Sequence, residues 1–156
     1  MRIEQTKIYQ FSELGERAKE SARDWYREGL YNDPPWLEEH QESRKAALAW
    51  IESVGHSELT GVRLFKYIQN NMAPGTLDGN YPFTGYCGDE YALDVVREFM
   101  ARPTYGTNVL DLKTWINSAM DLMWDREFEW LHEDEQIDES IEANEYEFTE
   151  NGAVYS

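Results

Sequence analysis

Only one cysteine stands in the 156 residues, so no intramolecular disulfide can staple the fold, and the lone thiol, Cys87, agrees with a reducing compartment. Long apolar runs are missing as well. None approaches the roughly 18 to 20 residues that span a bilayer. The opening MRIEQTKIYQF has neither the apolar stretch nor the cleavage site of a secretory signal, so a cytoplasmic location without a membrane partner is expected. Positive charge is scarce: 14 Lys+Arg face 31 Asp+Glu, a formal net charge of −17. Such a chain repels nucleic acid and anionic membrane surfaces, which a binder must neutralise with Lys or Arg, and direct nucleic-acid binding is therefore excluded as an expectation. Histidine is rare too. His40, His56, His132 and Cys87 lie in separate segments with no paired CxxC or HExxH spacing, so neither a metal centre nor a cofactor is expected.

What is present is apolar and aromatic. Hydrophobic residues make up 41% of the chain, and six Trp, ten Tyr and six Phe offer large areas to bury, which argues against disorder. The length fits one core, and the reading is a single acidic α+β domain over residues 1–156. The charge is uneven. Residues 1–120 hold 18 acids against 13 bases, whereas residues 121–156 hold 13 acids against Arg126 alone. Local ion pairs cannot neutralise that last quarter, so its carboxylates must face solvent, cations or a partner.

The periodicity predicts a mostly helical fold of about five helices with a small antiparallel sheet. KIYQF alternates like a strand, and Ser12 is expected to cap a helix from Glu13 to about Tyr31, striped by Leu14, Ala18, Ala22, Tyr26 and Leu30. Asp33-Pro34-Pro35 is expected to stop it and cap the next, which carries Leu37, His40, Arg44, Ala47, Leu48, Ile51 and Val54 and ends at Gly55. Ser57 or Thr60 caps a third helix through Val62, Phe65 and Ile68. Ala73–Gly88 is an ordered loop, held by Tyr81, Phe83, Tyr86 and Cys87, in which Asp78-Gly79-Asn80 is a turn rather than a calcium loop. A fourth helix follows Asp89 to Arg102 with Leu93, Val96 and Met100 inward. The longest runs from Asn108 to about Glu133 with Leu112, Ile116, Ala119, Met123, Trp130 and Leu131 on one arc, and a short helical piece follows at Ile137 and Ile141. Asn151-Gly152 predicts a hairpin with a two-residue turn, which the amino-terminal strand would complete into a sheet.

The residues that could carry function are acidic. Asp121, Asp125, Glu129 and Glu133 recur at four-residue steps, and like charges at that spacing cost an isolated helix a few tenths of a kcal/mol per pair, so helix stability did not select them. Each step rises about 6 Å, near the spacing of phosphates along one strand, which allows the row to imitate nucleic acid before a basic protein. A solvated face serving solubility is the plainer alternative, and cation binding a third. Trp124 and Phe128 flank the row and either anchor a partner that the charge has steered in or pack beneath the hairpin on Tyr146 and Phe148. Cys87 with His40 or His56 as base, or Asp89 with Glu90 as an acid–base pair, would serve an enzyme centred on Tyr81–Asp89, but no spacing brings those groups together.

Three stretches carry a resemblance: KIYQFSELGERAKESARDWYREG (Lys7–Gly29), LTGVRLFKYIQNN with the later FTGYCGD (Leu59–Asn71, Phe83–Asp89), and IEANEYEFTENGAVY (Ile141–Tyr155). In these, about a third of its length, the chain resembles small acidic proteins encoded by bacteriophages and prophages, some loosely labelled antitoxins. The resemblance implies a mobile-element origin, where small acidic proteins often block host defence or neutralise a toxin. It supplies no catalytic residues.

The expectation is therefore a non-enzymatic binding protein, monomer or dimer, that inhibits a host nucleic-acid-processing or defence protein of the anti-CRISPR or anti-restriction kind. Its partner-binding residues would be Asp121, Asp125, Glu129, Glu133, Trp124 and Phe128, and the partner a basic protein surface. The alternatives are an antitoxin-like or regulatory module that binds through apolar contacts, and a small enzyme or ligand-binding protein built on Tyr81–Asp89.

Overall fold

The structure is a computed structural model, and it describes residues 7–155. The chain is predominantly helical with a small antiparallel sheet, as expected. It forms two compact units, one of Trp36–Arg126 and the other of the described residues within Met1–Pro35 and Glu127–Ser156.

Trp36–Arg126 contains α2 (Leu37–Val54), α3 (Gly61–Asn71), α4 (Gly88–Ala101) and most of α5 (Val109–Leu131). Its core is aliphatic. Ala47 and Ile51 of α2, Leu64 and Ile68 of α3, Ala92 and Val96 of α4, and Leu112, Ile116 and Met120 of α5 are fully buried in one cluster. Gly55 ends α2 as predicted, and a Cβ there would come within 2.6 Å of Val109 Cγ2. Asn108 and Asp111 cap α5 reciprocally, each side chain accepting from the other's backbone N–H at 2.9 and 3.1 Å.

Several expected details differ. Helix α2 starts at Leu37 instead of at the prolines, with Trp36 at φ 59° before it and no cap from Asp33. Two successive prolines push the residues before them out of the helical region, so the start slips beyond them. In α3 the buried residues are Gly61, Leu64 and Ile68, and Val62 is exposed, because the helix begins one residue after Thr60 with its face turned accordingly. On α5 Met120 is buried where Ala119 was expected, and Trp130 is exposed.

In the other unit α1 (Glu16–Asn32) packs on α6 (Asp134–Ala143). Ser12 does not cap α1: Phe11–Glu13 is a 3-10 turn held by Glu13 Oε1 accepting from Gln10 N, and burial of Phe11 and Leu14 keeps the chain extended until Gly15. Strand β1 (Tyr9–Gln10) pairs antiparallel with β2 (Glu147–Phe148), Tyr9 opposite Phe148. Phe148 also bridges Val154, so the small sheet does join the amino-terminal strand to a carboxy-terminal hairpin. Its turn is not the two-residue type. Gly152 N donates to Thr149 O and Thr149 N to Ala153 O, a three-residue loop in which only Gly152 has positive φ, at 87°. A Cβ on Gly152 would lie 2.1 Å from Ala18 O, so glycine is required there twice over.

Candidate functional site

Helix α5 carries most of the acidic row, and the structure separates its members by what they touch. Asp121 accepts from Arg44 Nη2 of α2 at 2.5 Å, while Arg44 Nη1 donates to Asn117. Asp125, Glu129 and Glu133 are exposed and make no side-chain hydrogen bond or ion pair among the described residues. Glu133 lies beyond the end of α5, as the residue before α6. The regular row of four is thus shortened to Asp125 and Glu129 as unpaired acids on the helix.

Bases from distant sequence neutralise other acids of the last quarter. Arg23 forms a bidentate pair with Asp138, Nε to Oδ1 at 2.7 Å and Nη2 to Oδ2 at 2.8 Å, and Arg27 pairs with Asp134. Asp138 holds the Arg23 guanidinium above its ordinary pKa. The expectation that these carboxylates lack bases holds locally and fails across the fold.

Trp124 and Phe128 are half-buried, and Tyr146 and Phe148 pack on Trp25. Trp124 lies against His40 at 5.1 Å between ring centroids. Phe128 meets Tyr31 at 5.4 Å and His132 at 4.3 Å. Other apolar side chains of α5 reach solvent further, Leu110 in its first turn at 68%, then Trp115 at 43%, Leu122 at 50% and Trp130 at 48% exposure. Trp115 and Leu122 are seven residues apart, two turns on one face, and Asp125 follows Leu122 by three. Sequence reasoning missed these side chains because a helix's solvent arc is found only once its buried arc is known to within one residue.

The Tyr81–Asp89 loop is organised around a carboxylate. Asp89 is fully buried, and its Oδ2 accepts from the backbone N–H of Phe83 (2.9 Å), Thr84 (2.7 Å) and Gly85 (3.1 Å). Its Oδ1 accepts from Ser43 Oγ at 2.5 Å and Thr84 Oγ1 at 3.0 Å. These five donors occupy both carboxyl oxygens, so Asp89 ties the loop to Ser43 of α2. Arg97 fixes the preceding turn, donating to Leu77 O and Gly79 O at 2.8 and 2.6 Å. Cys87 is exposed, and no hydrogen bond joins it to a histidine among the described residues.

His40 is buried beside the Met120 backbone, and neither ring nitrogen makes a hydrogen bond of good geometry among the described residues. Burial, then Arg44, hold its pKa below the ordinary value, against the opposing pulls of Asp121 and of the Met120 backbone. His132 donates from Nδ1–H to Phe128 O, 2.7 Å away. No group of three or more His, Cys, Asp or Glu side chains suited to a metal ion occurs among the described residues, and no helix of the described residues is long and apolar enough to cross a membrane. Compared with known protein families, curated proteins and solved structures, the chain finds no match.

Proposed function

We propose that this protein is a binding protein for a basic protein surface, and that in the cytoplasm of a host bacterium it inhibits a nucleic-acid-processing or defence protein of the anti-CRISPR or anti-restriction kind. The observation that supports the reading is the solvent face of α5, where the unpaired Asp125 and Glu129 stand among the exposed Trp115, Leu122 and Trp130. Exposed acids accelerate encounter with a cationic surface, and exposed aromatics supply the desolvated contacts that hold it. The phage-like stretches of sequence supply the biological setting.

Pull-down from bacterial lysate at low and high salt, with mass spectrometry of the retained proteins, tests this. A basic nuclease, restriction or CRISPR component should be held by the wild type at low salt and lost by Asp125→Lys with Glu129→Lys. Retention of the same protein by both, at either salt, sinks the electrostatic reading.

A second reading, the antitoxin-like module that binds by apolar contact, is favoured by the exposure of Trp115 and Leu122. There Trp115→Ala and Leu122→Ala should each weaken capture about tenfold or more, as truncation of an anchor residue does, with little dependence on salt.

A further inference from the structure

At the carboxy-terminal end of α1 lies an open cavity of about 430 Å³, walled by Trp25, Tyr26 and Tyr146 and floored by the buried Leu30, with Glu28 and Asp33 beside it. Its volume falls in the range of small-ligand sites, about 300 to 1,000 Å³. Trp25 and Tyr146 meet edge to face, centroids 5.0 Å apart and planes at 87°, so each ring keeps at least one face clear of the other, and both rings line the cavity. Such faces carry the negative part of the ring quadrupole and attract cations.

The charges agree with the rings. The last turn of α1 contains no basic residue, so the partial negative charge of the helix end is uncompensated there. Glu28 and Asp33 are exposed and make no side-chain ion pair or hydrogen bond among the described residues. The two arginines of α1 nearer this end are engaged elsewhere, Arg23 with Glu20 and Asp138, and Arg27 with Glu20, Asp24 and Asp134.

Gly29 also lines the cavity, inside a helix where glycine is less stable than alanine. A Cβ at Gly29 would meet nothing within 4 Å. Neither packing nor backbone conformation therefore requires glycine, and its effect is to leave the cavity open.

We infer that this cavity receives an arginine side chain presented by a basic polypeptide, the planar guanidinium stacking on the aromatic wall and donating to Glu28 and Asp33. Arginine fits better than lysine because it offers a flat face for the ring and several N–H donors for two carboxylates at once, where an ammonium is a strongly hydrated point charge. The inference stands apart from the reading of α5, since every residue it uses lies on α1, in the turn after it or at Tyr146.

Titration of the whole chain with Nα-acetyl-arginine amide, followed by ¹⁵N NMR and calorimetry at fixed ionic strength, tests it. Saturable binding should move the Gly29 and Tyr146 amides and be at least fivefold tighter than binding of Nα-acetyl-lysine amide or tetramethylammonium. Glu28→Gln with Asp33→Asn should weaken it at least tenfold, and Gly29→Leu, which fills the cavity, should abolish it while the protein stays folded by circular dichroism. Glu58→Gln with Glu139→Gln removes the same charge from exposed acids elsewhere and should leave binding within twofold. Equal loss in both charge pairs, unsaturable shifts, or preference for lysine amide or tetramethylammonium would overturn the inference.

Discussion

The two compact units are stabilised differently. Trp36–Arg126 is continuous in sequence and buries a larger, mainly aliphatic core contributed by four helices, Ile51, Leu64, Ile68, Val96, Leu112 and Ile116 among it, with Phe99 its one buried ring and Trp50, Phe65 and Phe83 packed against it. The other unit joins the two ends of the chain, and its smaller core is Phe11, Leu14, Ala18, Ala22, Ile137, Ile141 and Phe148, edged by Tyr9, Trp25, Tyr26 and Tyr146. It adds what the continuous unit needs less: a strand pair between residues far apart in sequence and the Arg23–Asp138 and Arg27–Asp134 pairs. Bringing chain ends together costs loop-closure entropy before any contact repays it. A few large aromatic side chains and charge-assisted bonds repay it with few residues.

The largest effect should come from emptying each core in turn. Phe148→Ala removes a fully buried ring that meets Phe11 and Trp25 at 6.3 and 6.2 Å. It should cost about 3 to 5 kcal/mol, with amide exchange rising first in 9–32 and 134–155. Ile116→Ala, about 2 to 5 kcal/mol, should raise exchange first in helices α2 to α4. Exchange rising together everywhere in both variants would erase the distinction between the units.

A smaller effect, sharpening the comparison, concerns the one buried carboxylate of the continuous unit. Asp89→Asn turns an acceptor of five hydrogen bonds into a group that brings two N–H donors of its own, and should cost about 2 to 3 kcal/mol. Thermal unfolding reads the total, and proteolysis within 81–88 should quicken if the loss is local. An unchanged melting temperature would mean that the loop is held without it.

The smallest effect is set by pH. Because folding holds the His40 pKa below its ordinary value, the unfolded chain binds the proton more readily in the window just under pH 6.5. The stability of a neutral His40 is thus fully present above that pH and lost as pH falls through the native pKa. In His40→Phe, which keeps a ring against Trp124, the decline between pH 7 and 5 should be shallower than in the wild type. Parallel stability curves would show that His40 contributes nothing to it.

Much of the fold was legible because helix signals are local. Ala47, Ile51 and Val54 announce their buried face by spacing alone, and Gly55 ends the helix where a side chain would strike Val109. The candidate site was legible in part. Asp125 and Glu129 are as exposed as their sequence suggests, but the aromatic neighbours expected to anchor a partner, Trp124 and Phe128, rest on His40 and on Tyr31 with His132. Among the apolar side chains that reach solvent on α5, Trp115, Leu122 and Trp130 each stand next in sequence to a buried residue, Ile116, Met123 and Leu131, a rotation of one residue's width that periodicity does not resolve.

By itself the sequence determined the helical class, the net charge of −17 and the turn signal at Gly152, since these depend on composition and short-range spacing. Only the tertiary structure decided which carboxylates are neutralised. Arg23, Arg27 and Arg44 lie 115, 107 and 77 residues from Asp138, Asp134 and Asp121, and an ion pair forms between side chains near in space whatever their distance along the chain.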